Sequence, residues 1–147
     1  MDGVKLQVLW SNLIGIVSEQ ACALQRNAFS PIVREAGDLS NALFDEQAHM
    51  VAQAVTGTLG HFFDITLLSP IFRGDRIIAY AGSTIHHSDI GGYGIGSGAR
   101  DIHEEGLGIL TMKLYEAGRP NETLFQIIRR NVPPPEALMG DLGAQVS

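Results

Sequence analysis

A chain of 147 residues is long enough for one domain with a real core, and 45% hydrophobic with 18% charged residues is the balance of a globular protein. The formal charge of −6, with no run of Lys or Arg, excludes nucleic acid as a default partner, because phosphate binding needs a basic face. Cys22 is the only cysteine, which excludes an intrachain disulfide and fits a reducing, cytoplasmic setting. No apolar run reaches the length of a membrane span, and the N-terminus lacks the basic-then-apolar layout of a signal peptide, so no membrane partner is expected.

From Val4 to about Asn27, Leu6, Leu9, Trp10, Leu13, Ile14, Ile16, Val17, Ala21 and Leu24 recur at steps of three and four. That is the period of an amphipathic helix, and Cys22, which falls on it, is expected in the core as a small hydrophobe. "FSPIVRE" ends the helix, since the residue before Pro31 is pushed toward extended geometry. In "SNALFDEQAHMVAQ" the apolar segments 42–44 and 50–52 flank a polar turn, which predicts a hairpin with His49 exposed in its loop. "DITLLSPIF" and "RIIAYAGSTI" flank "RGD" and predict a second hairpin turning at Gly74, expected at the centre of the sheet. Pro70 cannot donate to a sheet, so it belongs on an edge or at a bulge.

Five glycines between Gly91 and Gly98 predict a tightly turning loop. "NETLFQIIRR" reads as a helix with Asn121 as N-cap and Glu122 near the positive end of its dipole. "NVPPPEALMGDLGAQVS" breaks that helix and begins another, which by its length should not bury a full face. The expected fold is α+β in one domain over residues 1–147. An N-terminal amphipathic helix packs on a mainly antiparallel sheet built from two hairpins, followed by a Gly-rich loop and C-terminal helices.

The chemistry gathers at the ends of the second hairpin. Imidazole and carboxylate together suit Zn²⁺, Mn²⁺ or Fe²⁺. His61 and Asp64 stand at the entry of the first strand, and His86 near the far end of the returning one. A turn near Gly74 sets residue 64 opposite residue 84 or 85, which brings His61, Asp64 and His86 to one end of the sheet. A register slip of one would present His87 instead of His86. A polar rim of solvated or capping residues is the competing reading. Asp89 before "IGG" reads as a turn former. His103 with Glu104 and Glu105 reads either as acid–base machinery or as a solvated helix start. "GGYGIGSG" is not a phosphate-binding P-loop, because no Gly-Lys-Ser/Thr follows it.

"AFSPIVREAGDLSNALFDEQAHMVAQAVTGTLGH", "DITLLSPIF", "IHHSDIGG", "EEGLGI" and "KLYEAGRPNETLFQIIRRNV" resemble consecutive motifs of the hydantoinase B/5-oxoprolinase family, from about Leu9 to the end of the chain. That family includes N-methylhydantoinase and caprolactamase subunits and is related to acetone and acetophenone carboxylase subunits. The resemblance implies a subunit of a complex that opens cyclic amides, with ATP used by a hydantoinase A-type partner and not on this chain. It also implies a divalent metal (Zn, Mn or Fe) held by His61 and Asp64 of a Gly-His-x-x-Asp motif and by His86 of a His-His-x-Asp-Ile-Gly-Gly motif. Asp38, from a Glu-Ala-Gly-Asp motif, is implied as a further ligand. No catalytic residue is assigned.

Two departures qualify what the resemblance implies. "TGTLGH" runs straight into "FFDI", as if two Gly-His motifs of the family had fused with loss of the segment between them, so His61 could descend from either. The chain also stops well short of a full family member, so exposed apolar surface and oligomerisation are expected. Three functions follow: a metal-binding part of a hydantoinase B-type hydrolase; a non-catalytic truncated relative acting in assembly or interaction; and a carboxylase-type subunit acting on a ketone and bicarbonate.

Overall fold

The structure, a computed structural model, describes residues 2–54, 64–94 and 98–147. Helix α1 (Gly3–Asn27) starts at Asp2, whose side chain accepts from the Val4 N–H, and stops where Ala28 turns extended. Its buried residues, Val17, Ala21 and Leu24, follow one another at steps of four and three, and Ala28 continues the stripe. Cys22 lies off that stripe and is exposed, not in the core as the sequence suggested. The first half of the helix has apolar residues on every side, so periodicity alone could not say which face turns inward. Val4, Val8, Trp10 and Ile16 all stay more than half exposed, as the expectation of uncovered apolar surface required. None of the described helices is long and apolar enough to cross a membrane.

The predicted break at Pro31 contains one turn of helix, α2 (Pro31–Arg34). Ser30 is held extended before the proline, and its hydroxyl accepts from the Ile32 N–H at 3.2 Å. The chain then enters β1 (Leu39–Asp45), which forms the first predicted hairpin with β2 (Met50–Gln53). The second hairpin pairs β3 (Asp64–Arg73) with β4 (Arg76–His86) through a turn in which Gly74 has φ +62°. All pairings are antiparallel, in the order β2-β1-β4-β3. The second hairpin is therefore not wholly central: β4 is, but β3 forms an edge. That placement accounts for Pro70, which sits in the edge strand next to a bulge.

The bulge sets the register. Phe72 pairs with Ile77 but Ile71 pairs with Ala79, so Ile78 is an extra residue on β4. Everything beyond it is displaced by one, and Asp64 pairs with His86 rather than with residue 84 or 85. One face of the sheet carries Leu39, Leu43, Ala81 and Ile85 into a core with Val17, Ala21 and Leu24 of α1.

Helix α3 (Glu122–Asn131) and helix α4 (Pro135–Val146) build a second apolar cluster with Ile65 and Leu67 of β3. A short ribbon, β5 (Tyr115–Glu116) with β6 (Arg119–Pro120), precedes them and was not anticipated. Contrary to the sequence expectation, α4 buries a full stripe: Leu138, Asp141, Leu142 and Gln145, at i, i+3, i+4 and i+7. Asn121 caps α3 by accepting from the Leu124 N–H, and its amide donates to the Lys113 carbonyl, tying helix to ribbon. Asn121→Ala should lower stability by about 1 kcal/mol, read as a shift in the urea midpoint at unchanged slope.

Candidate metal centre

The bulge has a direct consequence for side-chain direction. Residues paired across antiparallel strands point to the same face, so Asp64 and His86 share one. Asp38, one residue before β1, extends the row: Leu39 pairs with Ile85, and the His86 N–H donates to the Asp38 carbonyl at 3.2 Å. Asp38, His86 and Asp64 thus lie side by side at one sheet end, on the face opposite the α1 core. His86 Nδ1 is 3.2 Å from Asp64 Oδ1 and 3.9 Å from Asp38 Oδ2. The Asp64 side chain is 9% exposed, that of His86 16% and that of Asp38 35%, so the row opens toward solvent on the Asp38 side. His61 lies outside the described residues.

The next row on the same face is made of hydroxyls. Ser40 pairs with Thr84 and Thr84 with Thr66, whose hydroxyl lies 2.9 Å from that of Thr84, while the Gln53 amide donates to the Ser40 hydroxyl.

Two ligands on one ion with bonds of 2.0–2.1 Å stand about 3.0–3.4 Å apart. The His86–Asp64 spacing fits that range and the His86–Asp38 spacing is somewhat wider. Among the described residues no group of three or more His, Cys, Asp or Glu side chains is arranged to hold a metal ion. An imidazole flanked by two carboxylates is nonetheless the donor set that Zn²⁺, Mn²⁺ and Fe²⁺ take. Two surface hollows lie elsewhere, one lined by Lys113, Glu116 and Arg119, the other by Cys22, Gln25 and Arg34.

The other polar residues separate cleanly. His87 follows His86 but is fully buried, with Nδ1 3.6 Å from Oδ2 of the equally buried Asp141. Asp89 is a turn former, accepting from the Gly91 N–H at 2.6 Å. His49 is exposed in the first hairpin loop and pairs with Asp45. Hydrogen bonds from the His49 and Gln47 N–H groups and from the His49 ring hold the Asp45 carboxyl below its ordinary range. Glu104 is engaged by Arg100, whose guanidinium holds its pKa low, and the Asp101 side chain accepts from the His103 N–H in a turn. Asp141 was missed in the sequence. Its signal was present: a carboxylate three residues after Leu138, inside the apolar stripe of the last helix.

The hydantoinase B/oxoprolinase family model matches residues 2–61 and again residues 55–147. The chain belongs to the hydantoinase B/oxoprolinase family. The two matches share residues 55–61, which include Gly60 and His61. An uncharacterised protein of Methanocaldococcus jannaschii is 30% identical over an alignment of 190 residues, longer than this chain, and takes in 100% of it. The beta subunit of caprolactamase from Pseudomonas jessenii is 25% identical over 99% of the chain. The chain spans about a third of the length of each, 33% and 32%.

Two solved structures share the fold. An acetone carboxylase in its nucleotide-free form superposes with a TM-score of 0.83 at 20% identity, over 95% of this chain and 24% of its own. The ATP-dependent caprolactamase of Pseudomonas jessenii superposes with 0.78 at 22% identity, over 99% and 32%.

Proposed function

We propose that this chain is the metal-binding part of a hydantoinase B-type hydrolase subunit, which opens cyclic amides together with an ATP-using partner of the hydantoinase A type. The observation that carries the proposal is the row Asp38–His86–Asp64, three donors side by side on one face at a sheet end. These residues would hold a divalent ion, Zn²⁺, Mn²⁺ or Fe²⁺, with His61, three residues before Asp64 in the sequence, as the fourth ligand. Such an ion supplies acidity to water and polarises a carbonyl oxygen. The chain's own contribution is to fix the donors: sheet pairing orients His86 and Asp64, and the Asp38 carbonyl holds the strand end through the His86 N–H. Family membership supports this reading, and so does the naming of one relative as a beta subunit.

A second reading, a carboxylase-type subunit acting on a ketone and bicarbonate, is favoured by the acetone carboxylase superposition. It uses the same row and differs in substrate.

The test is metal content per chain, by elemental analysis of protein purified without chelators and checked for folding and oligomeric state. About one Zn, Mn or Fe per chain is expected, with loss on dialysis against chelator and recovery on reloading. A folded chain that takes up no ion even after reloading overturns the proposal and leaves the non-catalytic assembly module. With metal present, assays with an ATP-using partner on hydantoins or lactams, against acetone and bicarbonate, separate the two enzymatic readings.

A further inference from the structure

Asp141 is fully buried, where a carboxylate needs donors, and one of its two oxygens has them. Oδ1 accepts from the N–H groups of Phe29 at 2.6 Å and Ser30 at 3.0 Å, in the bend between α1 and α2. Ser30 caps α2, and its hydroxyl also lies 2.9 Å from that of Ser88. Oδ2 lies 3.6 Å from Nδ1 of His87. His87 and Ser88 are the two residues that follow His86.

The other side of the bend runs to the row itself. The Asp38 N–H bonds back to the Ile32 carbonyl of α2 at 3.3 Å, and the Asp38 carbonyl accepts from the His86 N–H. The contacts form a ring: from Asp141 to Ser30, through the single turn of α2 to Asp38, across to His86, and through His87 back to Asp141. We propose that Asp141 is a positioning residue for the candidate metal centre. Its carboxylate holds the segment leading into Asp38 against the strand end that carries His86. This rests on the metal reading above.

Gln145, one turn further along the same stripe, provides the comparison. Its amide donates to the carbonyls of Ile65 in β3 and Ser83 in β4 and to the Ser83 hydroxyl, bracing the two strands against α4 without touching the ring. It is as much a part of the packing, but not of the link between Asp38 and His86.

The experiment measures Zn²⁺ affinity of the 147-residue chain by competition with a chromophoric chelator, alongside urea unfolding. Parent, Asp141→Asn and Gln145→Leu are compared. Asp141→Asn should bind Zn²⁺ about ten- to a hundredfold more weakly, the usual cost of losing a residue that orients a ligand. Gln145→Leu should stay within about twofold of the parent. A folded Asp141→Asn with parental affinity overturns the inference, and so does equal weakening in both variants, which would mark general loosening. If Asp141→Asn does not fold, His87→Leu decides, since it removes the ring's link between the Asp141 carboxylate and the strand end that carries His86. Severalfold weakening there supports the ring, and parental affinity breaks it. A parent that binds no metal overturns the function proposed above, and amide NMR shifts of the metal-free chain then test the ring alone. With Asp141→Asn, the Asp38 and His86 amides should move more than those of Arg73–Arg76, and uniform shifts would overturn it.

Discussion

His86→Ala is expected to abolish metal retention, with affinity falling by more than about a hundredfold, because losing a residue that merely orients a ligand already costs 10–100-fold. His86 is the middle member of the row, at 3.2 Å from one carboxylate and 3.9 Å from the other. Without its ring, Asp38 and Asp64 face each other across a gap, and an ion held there would lack its only nitrogen donor among the described residues. Asp64→Asn should have a similar effect, since it keeps the shape of a side chain that is 9% exposed but removes its charge. Both variants should keep the sheet, whose hydrogen bonds come from the backbone. His49→Ala is the control: its side chain is 77% exposed in the hairpin loop at the opposite end of β1 from Asp38, and its loss should leave metal content unchanged. Elemental analysis of the four purified proteins is sufficient. Parental metal content in His86→Ala would remove the row from consideration as a metal site.

The largest expected loss of stability is at Gly92. It has φ +77°, a conformation that costs an L-residue about 1–2 kcal/mol. A Cβ there would also lie 2.5 Å from the Glu104 carbonyl oxygen and 2.6 Å from the Gly106 nitrogen. Both obstacles are backbone, so neither can swing aside. The contact belongs to a place where two loop segments are laced together, the Tyr93 N–H to the Glu104 carbonyl and the Leu107 N–H to the Ile90 carbonyl. Gly92→Ala should therefore cost about 2–5 kcal/mol, the strain of the conformation plus that of overpacking. Gly74→Ala separates the two contributions. Its φ is +62° but a Cβ would meet nothing within 4 Å, so about 1–2 kcal/mol is expected. Urea unfolding of the two variants side by side decides, and equal losses would refute the steric argument.

How much of this was legible depended on whether the signal was local. Both hairpins could be read because their turns carry their own chemistry, polar "DEQAH" in one and Gly74 in the other. The cap at Asn121 lies three residues from the N–H that it accepts. Register was not legible, because one extra residue, Ile78, is invisible to alternation patterns and yet displaces every pair beyond it. The burying stripe of α4 was missed because Asp141 and Gln145 look polar in sequence. Their partners, at positions 29, 30, 65 and 83, lie 62 to 112 residues earlier in the chain. Of the candidate ligands, Asp38, Asp64 and His86 lie at one sheet end and His61 lies outside the described residues, and Asp38 needed the family motif to be noticed at all.

The bulge at Ile78 gives the two adjacent histidines their separate duties. A strand repeats every two residues, so one added residue is half a wavelength, and it turns His86 toward the carboxylates while His87 goes into the core. Length changes in this hairpin should therefore obey a parity rule. Residues added or removed at the Gly74 tip leave the phase of the far end untouched. Between the bulge and Asp64, an even change preserves the assignment and an odd one exchanges it, driving a core residue outward and a ligand in. The tip is thus the place where this hairpin can vary freely in length, and the stretch from Asp64 to Ile71 is where it can change only by even steps.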